Sequence, residues 1–185
     1  MSEEGCFSNS LVLTQVTGYI VAVVFGLCAL VPTILHMVDF NGHCLLFTNG
    51  TWRAADGQFL AKWSSQLYCD YNILWSFVSI IIALVQLYYI YKHTRRYVDK
   101  SFLYVLSELL ICSLAGCSAL VGALIATLGY QRWCDAIMLR FQECEDAASV
   151  TAQIDRKDGI DTSHFYIHFG IVQFGAWLCW ASWVG

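Results

Sequence analysis

The chain has 185 residues, 58% hydrophobic and only 13% charged, with a net charge of −4 and a mean hydropathy of +0.56. Soluble domains carry about 25% charged residues, so lipid rather than water must cover much of this surface. An acidic balance without a clustered basic face also excludes nucleic-acid binding.

Taken from the start, Met1-Ser2-Glu3-Glu4 lacks the positive n-region of a cleaved leader, and the apolar run that follows is too long for one. That run, 11–36, is expected to remain as a first membrane span of about 20 or more residues. Three more runs meet the same criterion: 71–91, 102–130 and 165–185. None of the four contains Lys or Arg, and the only acid among them is Glu108. The expected fold class is therefore an all-α membrane protein, a four-transmembrane-helix bundle forming one domain over 1–185. There is one proline, Pro32, and no repeat or low-complexity segment.

Orientation follows from basic residues in short loops. The 92–101 link carries Lys92, Arg95, Arg96 and Lys100, whereas loops 37–70 and 131–164 are sparse in bases or net acidic. The link and both termini are thus expected in the cytosol, with the two longer loops outside, and the plasma membrane is the expected location. Asn49-Gly50-Thr51 is a glycosylation sequon in the first outer loop, making Asn49 a candidate acceptor. The cysteines agree: Cys44 and Cys69 fall in one outer loop, Cys134 and Cys144 in the other, and none in the basic link. Four cysteines allow three pairings. Cys44–Cys69 with Cys134–Cys144 is preferred because each pair closes a loop between two helix ends, each contributing on the order of 3 kcal/mol.

The first outer loop has strand character. Cys44-Leu45-Leu46-Phe47-Thr48 is β-prone, Asn49-Gly50 is a type I′ hairpin signal, and Thr51-Trp52-Arg53 returns. Asp56-Gly57 offers a second turn before Phe59-Leu60-Ala61-Lys62-Trp63. A small disulfide-clipped antiparallel sheet on the bundle is expected, with Trp52 and Trp63 near the membrane surface. The second loop is acidic through Glu143, Glu145, Asp146, Asp155, Asp158 and Asp161. Asp155, Asp158, Gly159 and Asp161 miss the calcium-loop spacing, so a solvated loop is expected there.

Within the spans, Gly18, Ala22 and Gly26 in the first and Ser118, Gly122 and Ala126 in the third recur at four-residue spacing. Such faces permit close helix contact, either with a partner's helix or within this bundle. Glu108 is an intramembrane acid and so a functional candidate. It lies seven residues beyond Ser101, about 10 Å along a helix, and could reach the interface, pair with Arg95 or Arg96, or sit protonated; with no second polar group expected at its depth, a structural role is the expectation. His164 and His168 share a helix face but lack a third ligand at fixed spacing, so no metal is expected. Trp177, Trp180 and Trp183 fit an aromatic belt or lipid-facing stripe, and Cys6 is a candidate for acylation. No nucleophile set, phosphate loop or catalytic carboxylate pair is present, so neither enzymatic activity nor a cofactor is expected.

Gly42-His43-Cys44-Leu45-Leu46-Phe47-Thr48 with Gly50 and Trp52, Trp133-Cys134-Asp135, Asp161 through Tyr166, and Gln173-Phe174-Gly175-Ala176-Trp177 resemble the transmembrane protein 179 family over essentially all four spans. The resemblance implies a four-span membrane protein and supplies no catalytic residues. More distantly, the architecture is similar to that of claudin-like tetraspan channel regulators, although the Gly-Leu-Trp-x-Cys pattern is missing. The leading functional expectation is an auxiliary subunit bound to a larger channel or receptor in the bilayer. A junction protein and a small transporter stand as alternatives.

Overall fold

The computed structural model describes residues 3–55, 59–96, 102–146 and 164–185, with side chains described within 10–55, 59–92, 102–146 and 164–185. Four helices dominate: α1 (Glu3–Asp39), α2 (Leu67–Arg96), α3 (Phe102–Ile137) and α4 (Phe165–Val184). All four are long and apolar enough to cross a membrane. Strands β1 (Asn49–Trp52) and β2 (Phe59–Lys62) form an antiparallel pair in the α1–α2 connection. This is a multi-pass membrane protein.

Three of the four helices overrun the apolar limits read from hydropathy, α4 alone keeping to them. Helix α1 ends at Asp39 instead of 36, α2 spans Leu67–Arg96 instead of 71–91, and α3 continues to Ile137 instead of 130. Hydropathy marks the lipid-crossing part of a helix, while its backbone ladder continues wherever other packing supports it. In α3 the added turns carry Trp133 and Cys134, both buried in the head formed by the sheet and the neighbouring helix ends.

Helix α1 stops in a Schellman motif. The Gly42 amide donates to Met37 O at 2.8 Å and Asn41 to Val38 O at 3.1 Å, with Asn41 and Gly42 at φ 50° and 83°. The chain then enters a buried wedge, Cys44-Leu45-Leu46, instead of the expected strand. Consecutive burial of Leu45 and Leu46 is incompatible with the alternation of a half-buried strand. Phe47, at φ 61°, donates its amide to Gly129 O of α3 at 3.0 Å. The Ser64 hydroxyl also donates to Leu46 O, so both sides of the wedge are tied down.

The expected Asn49-Gly50 turn is also corrected. Asn49 and Gly50 lie inside β1, paired with Lys62 and Ala61, and Trp52 pairs with Phe59. Gly50 fits there because an added Cβ would lie 2.2 Å from the Phe59 ring and 2.6 Å from Leu60 O. The hairpin connection runs over 53–58, and Asp56-Gly57 falls outside the described residues.

Helix α1 is the hub, packed along α4 and α2, with α3 packed mainly on α4. Its contacts are made by small residues. Gly18 faces Ser182 of α4, and Gly26 faces Ile80 of α2, where a Cβ would meet Cγ1 at 2.9 Å. Ala22 and Ala126 are fully buried, and Gly122 lies against Tyr71, Asn72 and Trp75 of α2. Ser118 is half-buried, its carbonyl accepting from the Tyr71 hydroxyl at 3.0 Å. Both small-residue faces therefore serve contacts within this bundle. On α3 the buried stripe is broader than the expected spacing, adding Ala115, Gly116, Ala119, Ala123 and Gly129.

The tryptophans of α4 turn inward. Trp183 donates to Ser79 Oγ at 2.9 Å, and Trp177 donates to Thr127 Oγ1 at 3.0 Å. Trp183 is buried and Trp177 and Trp180 are half-buried, so they form no lipid-facing stripe. An indole N–H needs a partner away from water, and hydroxyls on α2 and α3 provide one.

Candidate functional site

Two places gather chemistry: the head and a cavity at the opposite end of the bundle. The head begins with its disulfides. Cys44–Cys69 (Cα–Cα 5.8 Å) joins the segment after α1 to the first turn of α2. Cys134–Cys144 (Cα–Cα 5.1 Å) ties the last turns of α3 to the chain that follows. Because α3 is longer than expected, this second bridge does not connect two helix ends.

Between the bridges lies an aromatic core. Phe59 of β2 meets Trp133 of α3 edge-to-face at 5.3 Å, and Trp133 in turn meets Phe165 of α4 at 6.4 Å. Trp52 donates to Ala136 O at 3.1 Å, satisfying a carbonyl that the end of α3 would otherwise leave open. The Arg140 guanidinium sits 5.1 Å above the same indole. Trp63 stacks on His43 at 4.7 Å. The sheet is thus fixed to α3 rather than free over the membrane, and the core it joins includes Phe165 and Phe169 of α4. Trp52→Phe, which keeps a ring but removes the N–H, is expected to cost about 1 kcal/mol. A lower thermal midpoint in detergent, with an unchanged elution volume, checks this.

Asn49 is exposed at the start of β1, its Oδ1 accepting from the Gly50 amide at 2.8 Å. On either side of Cys144, Glu143 and Glu145 crowd each other; a hydrogen bond with Glu143, joined by its negative charge, raises the Glu145 carboxyl above its ordinary range. Asp155, Asp158, Gly159 and Asp161 lie outside the described residues, as do the side chains of Cys6, Arg95 and Arg96. His164 and His168 stand with ring centres 6.1 Å apart, and no metal-holding group of three His, Cys, Asp or Glu occurs among the described residues. Nδ1 of His168 is 3.4 Å from Asp39 Oδ2, near enough for an ion pair but not aligned for a hydrogen bond.

His36 of α1 was not legible as special. Its ring is buried between Phe40 at 4.3 Å and Phe169 at 4.6 Å, and neither nitrogen has a hydrogen-bond partner among the described residues.

At the far end, Glu108 is met by side chains of α1. Gln15 Nε2 donates to its Oε1 at 3.3 Å and the Tyr19 hydroxyl to the same oxygen at 3.4 Å. Tyr19 also lies 3.6 Å from Cys112 Sγ. Glu108 therefore finds partners on α1, and at its own depth, rather than only towards the basic link. The signal was two i, i+4 pairs, Gln15/Tyr19 and Glu108/Cys112, each on one helix face. The four surround a cavity of about 670 Å³ between α1, α3 and α4. A second cleft of about 500 Å³ between α2 and α3 reaches Glu108 from the other side.

Against known proteins, residues 11–185 match the family model described as the Transmembrane protein 179/179B Claudin domain. The chain belongs to that family. No solved structure matches it. The family blocks read in the sequence now have physical content. Cys44 to Thr48 is the buried wedge on Gly129, and Trp133-Cys134 joins the aromatic core to a disulfide. Gly175 of α4 touches the α1 backbone, and Trp177 bonds across to α3. In this member of the claudin-domain family, these described parts of the blocks make architectural contacts.

Proposed function

We propose that this chain is a non-enzymatic auxiliary subunit that binds a larger membrane protein, such as an ion channel or receptor, at the plasma membrane. The head faces outside, and both termini and the α2–α3 link lie in the cytosol. The basic residues of that link support the orientation, and disulfides form on the oxidising side of such a membrane.

One observation carries the reading: the head is a preorganised surface. Two bridges, the Trp52–Ala136 bond and the shared aromatic core hold it on the helix ends. A surface ordered in advance loses little entropy when it docks. Below it, small residues are consumed in packing the bundle, which leaves large apolar side chains such as Leu74, Phe77 and Tyr88 of α2 outward for lipid or a partner's helix.

Extraction in mild detergent, chemical crosslinking and native-gel sizing test the assignment. A discrete complex larger than the chain supports it, and migration as a bare monomer from every expressing tissue overturns it. Glycosidase treatment of wild type and Asn49→Gln tests the orientation: a mobility shift confined to the wild type places the head outside. A cell-contact role is the second reading, favoured by the claudin-domain family and the sheet at one end. Cell aggregation that depends on expression of the chain would select it over the subunit reading.

A further inference from the structure

One face of α2 is not used by the bundle, and it changes character along its length, from aliphatic to tyrosine to basic. We propose that this face binds a polyphosphorylated inositol lipid. Its acyl chain lies along Ile81, Val85 and the tyrosines Tyr88 and Tyr89, and its headgroup meets Lys92, Arg95 and Arg96.

Helix geometry puts these residues together. At about 100° per residue, positions 81, 85, 88, 89, 92, 95 and 96 fall within an arc of about 120°, and α2 stays helical through Arg96. Ile81, Val85, Tyr88, Tyr89 and Lys92 are all exposed, except that Tyr89 shares its place with the cleft towards α3. The buried Ser79, Ala83, Gln86 and Ile90 mark the opposite side, where α2 meets its neighbours. Ser79 on that side accepts from Trp183 of α4, so the exposed stripe turns away from α4.

Depth matches one leaflet. From Ile81 to Lys92 the axis rises about 16 Å, close to half of a hydrocarbon core of about 30 Å. Tyr88 and Tyr89, edge-to-face with ring centres 6.1 Å apart, stand just before the first base, at the level where tyrosines favour the lipid–water boundary.

Charge gives the headgroup. No Asp or Glu occurs between Asp70 and Asp99, and no Lys or Arg lies between Asp70 and Lys92. Attraction to a lipid of single charge needs only bases somewhere in the link. Here three bases fall at i, i+3 and i+4, within about 6 Å along the axis. Two are arginines, whose planar forks pair with phosphate oxygens. That density of charge beside a span suits a compact headgroup with several phosphates.

The full chain in phosphatidylcholine vesicles is labelled with a phosphatidylinositol bisphosphate bearing a diazirine on its acyl chain, and the adducts are mapped by peptide. Adducts are expected in the α2 stretch 81–89. Unlabelled phosphatidylinositol bisphosphate should compete at about tenfold lower concentration than phosphatidylserine. Soluble inositol trisphosphate, which has no chain to lay on the stripe, should also compete about tenfold less well. The swap Thr94→Arg/Arg96→Thr keeps the charge of the link but moves one base to the far side of the helix. It should weaken competition about fivefold, the worth of one base near the surface. Equal competition by phosphatidylserine or by the soluble headgroup in the wild type overturns the proposal without relying on any variant. So do adducts spread evenly over the four spans and a swap variant that competes like the wild type. The probe reaches both leaflets, so the outcome is independent of the proposed orientation, which the Asn49 glycosidase test decides separately.

Discussion

The double variant Cys44→Ala/Cys69→Ala is expected to lose about 3.5 kcal/mol, the loop-closure value for its separation of 25 residues. The bridge holds the start of the wedge that packs Leu45 and Leu46 against Gly129. Its loss frees the whole segment between α1 and α2. Removing Cys134–Cys144, which closes only 10 residues, should cost less, about 2.7 kcal/mol. Thermal unfolding of purified protein in one detergent, compared with and without reductant, gives the order. A second-bridge variant less stable than the first would refute the wedge as the head's main anchor. Cys28, Cys112, Cys117 and Cys179 are unpaired thiols, and conservative replacement of the exposed Cys117 should leave the midpoint in place.

Gly175→Ala is the second large effect. An added Cβ would lie 2.9 Å from Ala29 N and 3.0 Å from both Cys28 C and Cβ. The obstacle is mainly helix backbone, which cannot rotate aside, so α1 and α4 must separate, at a cost of about 1–3 kcal/mol. The local backbone of α1 is unusual as well: Pro32 lacks the N–H that would bond Cys28 O, beside the Gly175 contact. Gly170→Ala is the control. Nothing lies within 4 Å of its added Cβ, so the change should be neutral or mildly stabilising through helix propensity. Equal midpoints for the two variants would show that the α1–α4 contact does not govern stability.

Much of the fold was legible because crossing lipid is a demand on composition. Four long apolar runs and one basic link leave few alternatives, and a one-residue error in a boundary changes little. The head was only partly legible. Its sheet was expected, but Asn49-Gly50 is a turn signal for local sequence, and here Phe59 packs over Gly50 and draws it into a strand. Cys44 to Thr48 has β-forming residues, yet contact with Gly129 from a distant helix decides its path. Trp177 and Trp183 suited a lipid interface by composition, while their hydroxyl partners lie 50 and 104 residues away along the chain. The same holds for Glu108: its depth was readable, but Gln15 and Tyr19, on the first span, became its partners only through folding.

The aromatic core of the head also imposes an order in time. Phe59 comes from the first connection, Trp133 from α3, and Phe165 and Phe169 from α4. A chain emerging N-terminus first has made the sheet and three spans before α4 exists. Until α4 arrives, Trp133 and Tyr130 lack their neighbours Phe165 and Phe169. The head is therefore completed by the last of the four spans to be made. A nascent chain stalled before it displays an unfinished aromatic face, a ready signal for the chaperones that inspect new membrane proteins.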